Sequence, residues 1–361
     1  MNSLESLVSL NLIPQIGSVR LGHLLKYFNT PEEIFKASRQ SLEPVVGEAI
    51  SQGIVSFDSR KLDNDLAQAK KAGLEIITLF DASYPQNLKQ IPGLPIVLYV
   101  SGKMTQADNL SLGIVGSRRA SLYGLSSAEK FAAELALNNL TIVSGMARGV
   151  DTYAHRGALK ASGRTIAVMG SGFNHIYPPE NQGLAAQIAK SGAVISEFPM
   201  DTKPLAQNFP RRNRLISGLS LGVLVTEAAR NSGALITVDF ALEQGRDVFA
   251  LPGRIDACGS MGTNELLKQG AKLVTCSEDI LTELNLGIFD KDEPINPEIK
   301  DNILCAKEED ILYNCISRQV LAIDDLIEKT SLSSSQVSSL ILRLQFKKLI
   351  KELPGKQFIR S

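Results

Sequence analysis

The sequence predicts an α/β protein built on a doubly wound, extended Rossmann-like parallel sheet, with a small helical head and a winged-helix tail. Three observations predict this. Between about residues 110 and 285, short and nearly continuous apolar runs alternate with amphipathic stretches at strand–helix–strand spacing. Before residue 60, short helical patterns are interrupted by Pro and Gly. After residue 305, three helical patterns end in a hairpin signature.

At 361 residues the chain exceeds one ordinary core, so several units are expected. Residues 1–60 read as a helix-hairpin-helix-like head. In "LIPQIGSVRLGHLLKYF" a turn containing Pro and Gly leads into an amphipathic run, and turn amides in such a hairpin can face a phosphate. A purely structural packing module is the alternative reading. Residues 61–105 read as a connector into the 61–285 sheet domain, with one helix ("LDNDLAQAKKAG") and two strands ("LEIITLF", "PIVLYVSG").

The sheet strands are "LGIVGS" (112–117), "TIVSG" (141–145), "TIAVMG" (165–170), "AVISEF" (193–198), "LGVLVTEA" (221–228), "DVFALPG" (247–253) and "AKLV" (271–274). Residues 286–305 are polar, acidic and proline-containing, as suits a linker. Residues 306–361 give two helices, a third entered through serines, and a hairpin around Pro354-Gly355, which together spell a winged helix. Within 340–361, Arg343, Lys347, Lys348, Lys351, Lys356 and Arg360 face one acid, Glu352, leaving +5.

Thirty-eight basic and 38 acidic residues cancel, so a nucleic-acid partner must be met by a local basic patch. The chain shows no membrane-length apolar stretch and no signal-peptide pattern, and a cytoplasmic protein without a membrane partner is expected. Cys258, Cys276, Cys305 and Cys315 form no C-x-x-C pair, and His23, His155 and His175 are isolated. Reduced thiols are expected rather than a disulfide framework or a metal site.

The strongest local signals lie where strands give way to helices. Gly116, Ser117 and Arg118 follow one strand, Ser144, Gly145 and Arg148 the next, and Gly170, Ser171 and Gly172 a third. Asn231, Ser232, Gly233 and Thr237 open another helix. At such junctions unpaired amides and the helix dipole favour anions, and in an open α/β sheet the carboxyl-end loops gather on one edge. Phe209, Arg211, Arg212, Asn213 and Arg214 in "NFPRRNRLISGLS" read as a basic loop beside them, making an extended anion groove longer than a mononucleotide needs.

Catalysis finds little support. "GSGFNH" lacks the third glycine of a dinucleotide fingerprint, and no P-loop motif occurs. Ser117, Ser144 and Ser232 sit in no nucleophile elbow. Asp151 and His155 read as a structural i,i+4 pair, and Glu197 and Glu227 as anchors for groove arginines.

In this order, "GIVGSRRAS", "SGMARGVD", "TIAVMGSGFNHIYPPEN", "SEFPMDTKPLAQNFPRRNRLISGLS", "VLVTEAARNSGALIT" and "GRDVFALPG" resemble the DNA-processing protein A family (DprA, or Smf), over roughly residues 60–280. The resemblance implies a single-stranded DNA-binding protein of natural transformation. Such a protein protects incoming strands, helps load the recombinase RecA, acts as a homodimer, and performs no chemistry and uses no cofactor. It implies a phosphate pocket at Gly116, Ser117, Arg118, Ser144 and Gly145, a basic strip at Arg211, Arg212 and Arg214, and Phe209 as a base contact. A self-association and RecA-facing surface is implied near 262–275, where Leu266 and Leu267 fall. Two other classes stay open. One is a nucleotide-processing enzyme of the phosphoribohydrolase type, whose P-G-G-x-G-T stretch is missing here; the other is a winged-helix regulator.

Overall fold

A computed structural model describes residues 1–286. Beyond them it describes 312, 321–322, 326–327, 330, 332, 336–337, 340–341, 344, 350–353 and 357–360. The chain divides into two compact units, Met1–Phe289 and Asp290–Ser361. Apart from Leu286, the expected linker lies outside the described residues.

The head consists of α1 (Ser3–Leu12), α2 (Ser18–Tyr27), α3 (Pro31–Lys36), α4 (Arg39–Val46) and α5 (Glu48–Val55). Local chemistry sets their starts. Asn2 and Glu5 form a capping box, Thr30 caps α3 with Pro31 in its first turn, and Ser38 caps α4. Gly47, at φ 82°, permits the sharp turn between α4 and α5.

Their apolar faces meet in one cluster around Leu7, Leu10, Leu21, Leu24, Ile34, Leu42 and Ile54. That cluster also takes in Leu62 and Ala69 of α6 (Ser59–Lys71), together with Val97 and Tyr99. The stretch read as a connector is therefore part of two cores. Its helix closes the head, and its strands β1 (Glu75–Thr78) and β2 (Val97–Gly102) extend the main sheet. Asp65 locks the junction by accepting from the Tyr99 hydroxyl at 2.6 Å and from the Met200 amide at 2.8 Å.

The remaining strands are β3 (Ser111–Val115), β4 (Thr141–Ser144), β5 (Thr165–Val168), β6 (Ala193–Ser196), β7 (Gly222–Val225), β8 (Asp247–Ala250) and β9 (Lys272–Leu273). The sheet runs β1-β2-β6-β5-β4-β3-β7-β8-β9. It is parallel from β6 to β9, while β1 and β2 pair antiparallel at one edge.

Alternate residues of each strand feed opposite faces, as a pleated strand buried on both sides requires. Leu112, Ile114 and Ile142 pack on α7 (Leu122–Leu137), α8 (Val150–Lys160) and α13 (Ser277–Glu283). Val115, Val143 and Val225 pack on α10 (Asn208–Leu219), α11 (Gly233–Glu243) and α12 (Met261–Lys268). The helix α9 (Gln182–Ser191) joins the first layer through Leu184 and Ile188. Among the described residues no helix is long and apolar enough to cross a membrane.

In the tail, β10 (Leu321–Ala322), β11 (Ile350–Leu353) and β12 (Gln357–Arg360) form an antiparallel sheet in the order β10-β12-β11. Leu312, Leu326, Val337, Leu340, Ile341 and Leu344 are helical and buried. Helical core residues on both sides of β10, followed by the β11–β12 pair, make a winged helix. Leu353 pairs with Gln357 across the position of the expected turn. Pro354, Gly355 and the basic residues Arg343, Lys347, Lys348 and Lys356 lie outside the described residues.

Candidate nucleic-acid interface

The order of strands reverses at β3, which has β4 on one side and β7 on the other. The chain leaves β3 for α7 on one face and β7 for α11 on the opposite face. A crevice must therefore open beyond the carboxyl ends of these two strands. A cleft of about 730 Å3 lies there, lined by Gly116–Arg119, Ala147, Asp151, Tyr177, Phe209, Arg212, Asn213, Ser232–Ala234, Ile236 and Thr237.

Its wall after β3 is tightly built. A Cβ on Gly116 would meet Val150 Cγ2 at 2.6 Å and the Glu227 carbonyl at 2.9 Å, so only glycine lets the loop turn there. The Ser117 amide, expected to face an anion, is spent on the Glu227 carbonyl at 2.8 Å. The Ser117 carbonyl in turn accepts from Val150 at 3.2 Å. The loop thus offers Arg118 and Arg119, both exposed, rather than a row of free amides. On the far wall Ser232 caps α11 by accepting from Ala234 at 3.3 Å, and Gly233 is exposed with open space around it. This helix start keeps the positive dipole end that the sequence suggests.

Ser144 and Gly145 form floor rather than wall. The Ser144 hydroxyl is buried and donates to the Ile114 carbonyl at 2.6 Å. A Cβ on Gly145 would sit 2.5 Å from the Arg212 guanidinium, and one on Gly170 would sit 2.9 Å from the Phe209 ring. These two glycines are the space into which the side chains of α10 descend.

The stretch "NFPRRNRLISGLS" is helix α10, not a loop, and this changes what its arginines do. Phe209, Arg212, Asn213 and Ile216, at i, i+3, i+4 and i+7, face the cleft. Arg211 and Arg214 point to another side, where both pair with the buried Glu197, Arg211 at 3.2 Å. The expected single strip of three arginines is therefore divided by the helix.

Arg212 is 3% exposed and donates to the Gly145 and Val168 carbonyls, with its Nε 3.2 Å from Asn213 Oδ1. Burial pushes its pKa down to about 10, with the nearby Asp151 opposing and Arg118 reinforcing that fall, so it stays charged at neutral pH. Asp151 accepts from the Ala147 amide at 3.3 Å. Burial raises its pKa, while Arg212 and Arg118 pull it back.

Above this floor lies an aromatic platform. The guanidinium carbons of Arg118 and Arg212 lie 5.0 and 5.9 Å from the Phe209 ring centre. Tyr177, which no sequence signal singled out, packs its ring 5.9 Å from Phe209 at 55°. Three guanidinium groups and a helix start face one buried carboxylate in a cleft with two adjacent rings. That set suits a polyanion bearing flat bases.

The other expected polar residues take structural posts. His155 is not paired with Asp151; its Nδ1 lies 2.7 Å from the Thr165 hydroxyl. Glu197 anchors two arginines as expected. Glu227, expected to anchor another, instead accepts from the amide and hydroxyl of Ser121 at the start of α7. Gly124 and Gly259 close around it, each leaving only 2.6 Å between a built Cβ and a carboxylate oxygen. Arg148, read as part of the groove, is exposed and paired with Glu180.

A family model described as DNA recombination-mediator protein A matches residues 75–285, and one described as a DprA winged helix domain matches 301–356. Protein Smf of Escherichia coli (strain K12) is 41% identical over 311 residues, which cover 84% of this chain and 82% of that protein. The X-ray structure of DNA processing protein A from Streptococcus pneumoniae is similar with a TM-score of 0.68 and 34% identity. It covers 78% of this chain and 98% of its own. A Helicobacter pylori DNA processing protein A structure, whose description concerns its single-stranded DNA binding mode, has a TM-score of 0.53 and 32% identity. It covers 59% of this chain and 96% of its own.

Proposed function

Because the chain belongs to the DNA recombination-mediator protein A family, we propose that it binds single-stranded DNA in the switch-point cleft, protects the strand and helps load RecA during natural transformation. It acts as a homodimer and as a binder rather than an enzyme. The observation that carries the reading is the cleft itself. Arg118 and Arg119 stand exposed beside the Phe209–Tyr177 pair, with the start of α11 opposite.

A single strand is held by cations that follow its phosphates and by ring faces that accept any base. Arg118, Arg119 and the α11 start at Ser232 and Gly233 supply the first. Phe209 and Tyr177 supply the second. Arg212, Asn213, Gly145, Gly170 and Ser144 hold the platform in place from beneath. Asp151, the one carboxylate among the described cleft-lining residues, is buried and engaged with the Ala147 amide. That position suits fixing the local charge better than acid–base work on a ligand.

The test is fluorescence anisotropy with labelled single- and double-stranded oligonucleotides of several sequences and lengths. Sequence-indifferent, length-dependent preference for single strands is expected. Release of base from a nucleoside monophosphate would move the assignment to the phosphoribohydrolase type. Tight sequence-specific duplex binding would move it to a winged-helix regulator.

A further inference from the structure

A second cavity, of about 590 Å3, opens on the other side of α10, between that helix and the head. The turn from Pro14 to Arg20 lines it on the head side, and Arg211 and Arg214 line it on the α10 side. Arg20 and Arg211 present exposed guanidiniums to it, while Arg214 is mostly buried beside Glu197. The start of α2 adds to them. Its N-cap is Gly17, which has no side chain to accept from the first-turn amides. Arg20 is exposed and donates only to the Gln15 carbonyl of the same turn. Of the three arginines, Glu197 neutralises one charge, so the cavity keeps a positive excess.

We propose that this cavity binds a backbone phosphate of the same single strand that occupies the cleft, so that the strand crosses α10 from one site to the other. The inference rests on the single-strand reading of the cleft. Exposed guanidiniums in positive excess and an uncapped helix start are the chemistry that receives a phosphodiester. The two sites share one helix and lie on its different faces, about 10–12 Å apart across its diameter. A strand filling the cleft alone would leave Arg20 and the start of α2 unused; a longer one would reach them.

The test uses the full chain and oligo-dT strands of about 6 and about 20 nucleotides, bracketing the site sizes of single-strand binders. Two variants outside the cleft probe the head. Ser18→Asp places a carboxylate in the first turn of α2, which favours the helix but repels a phosphate. Arg20→Ala removes one exposed cation. Both should leave melting and short-strand affinity unchanged. Each should weaken long-strand binding at least about fivefold and flatten its log–log salt slope by about 0.7, the value of one lost phosphate contact. Unchanged long-strand affinity and slope in both variants, or equal loss for both lengths, would overturn the second site while leaving the cleft reading intact. Wild-type protein that binds neither strand would overturn the cleft reading, and this inference with it.

Discussion

The guanidinium of Arg118 lies 5.0 Å from the centre of the Phe209 ring, although Arg118 sits in the loop after β3 and Phe209 in helix α10, 91 positions apart. Arg118 is exposed and Phe209 half-buried, so the pair presents a cation and a ring face together. A phosphate and its base can meet the two groups at once.

The two halves of this pair should separate experimentally. Arg118→Ala should weaken binding of every single strand about equally and lower the salt slope by about 0.7. Phe209→Ala should cost about 1–3 kcal/mol of binding with little change in slope, because a stacked base releases no counterions. Binding isotherms between low and moderate salt check both. A Phe209→Ala protein with wild-type affinity removes the ring from the site.

Arg212 should behave differently from Arg118, despite lining the same cleft. Its guanidinium is buried and holds two carbonyls, and Asp151 lies within its field. Arg212→Ala leaves these groups without a partner inside a low-dielectric floor, a loss of about 3–5 kcal/mol of stability. Urea unfolding followed by circular dichroism should show an earlier midpoint, and lost DNA binding should track the lost fold. If Arg212→Ala unfolds at the wild-type midpoint yet loses DNA binding, Arg212 contacts the strand directly.

Much of the architecture was legible because strands β3 to β8 are buried on both faces. They appear as unbroken apolar runs such as "GIV" and "VLV", with Gly116, Gly145 and Gly170 just past the ends of β3, β4 and β5. Helix α10 was not legible as a helix, since its first turns carry Arg211, Arg212, Asn213 and Arg214 before any apolar repeat begins. Those arginines are held by partners distant in sequence: Gly145 and Val168 for Arg212, Glu197 for the other two. No local pattern announces such partners. Once the helix is known, the i, i+3 spacing alone separates Arg211 and Arg214 from Phe209 and Arg212. The membership of α6 in the head's core was hidden for a similar reason. Leu62 and Ala69 fit any amphipathic helix, and polar contacts distant in sequence fix where it docks, Asp65 to Tyr99 and Met200 and Gln68 to Asp201.

Self-association should map to the β9 edge of the sheet. Leu266, one of two leucines expected at a surface there, is 8% exposed and belongs to the core, whereas Leu273 of β9 is 50% exposed. A short edge strand with an exposed leucine offers both unpaired backbone groups and an apolar contact. Leu273→Asp should leave the melting temperature near wild type and shift the full chain from dimer to monomer in sedimentation velocity. A wild-type chain that is monomeric at about 10–100 µM, the regime of a weak dimer, would refute the dimer.

The last prediction concerns acid. The Thr165 hydroxyl donates to the Ile142 carbonyl at 2.7 Å, so its oxygen must accept from His155 Nδ1. His155 is therefore the neutral Nδ1–H tautomer, with Nε2 buried and unpartnered. Burial lowers its pKa from 6.5 to about 3, with the Arg212 charge adding to the effect. Between those two values the unfolded chain binds a proton that the folded chain refuses. Stability is then complete above pH 6.5 and falls as the pH drops toward 3, by at most about 1.4 kcal/mol per unit. His155→Asn keeps a donor for Thr165 but cannot titrate. It should be less stable than wild type at pH 7 from lost packing, with the gap closing steadily as the pH falls from 6.5 to 4.5. Unfolding free energies from near-ultraviolet dichroism of the buried Tyr84 and Tyr99 would measure that gap. Parallel pH profiles for the two proteins would show that His155 titrates normally in the fold and would refute the buried neutral tautomer.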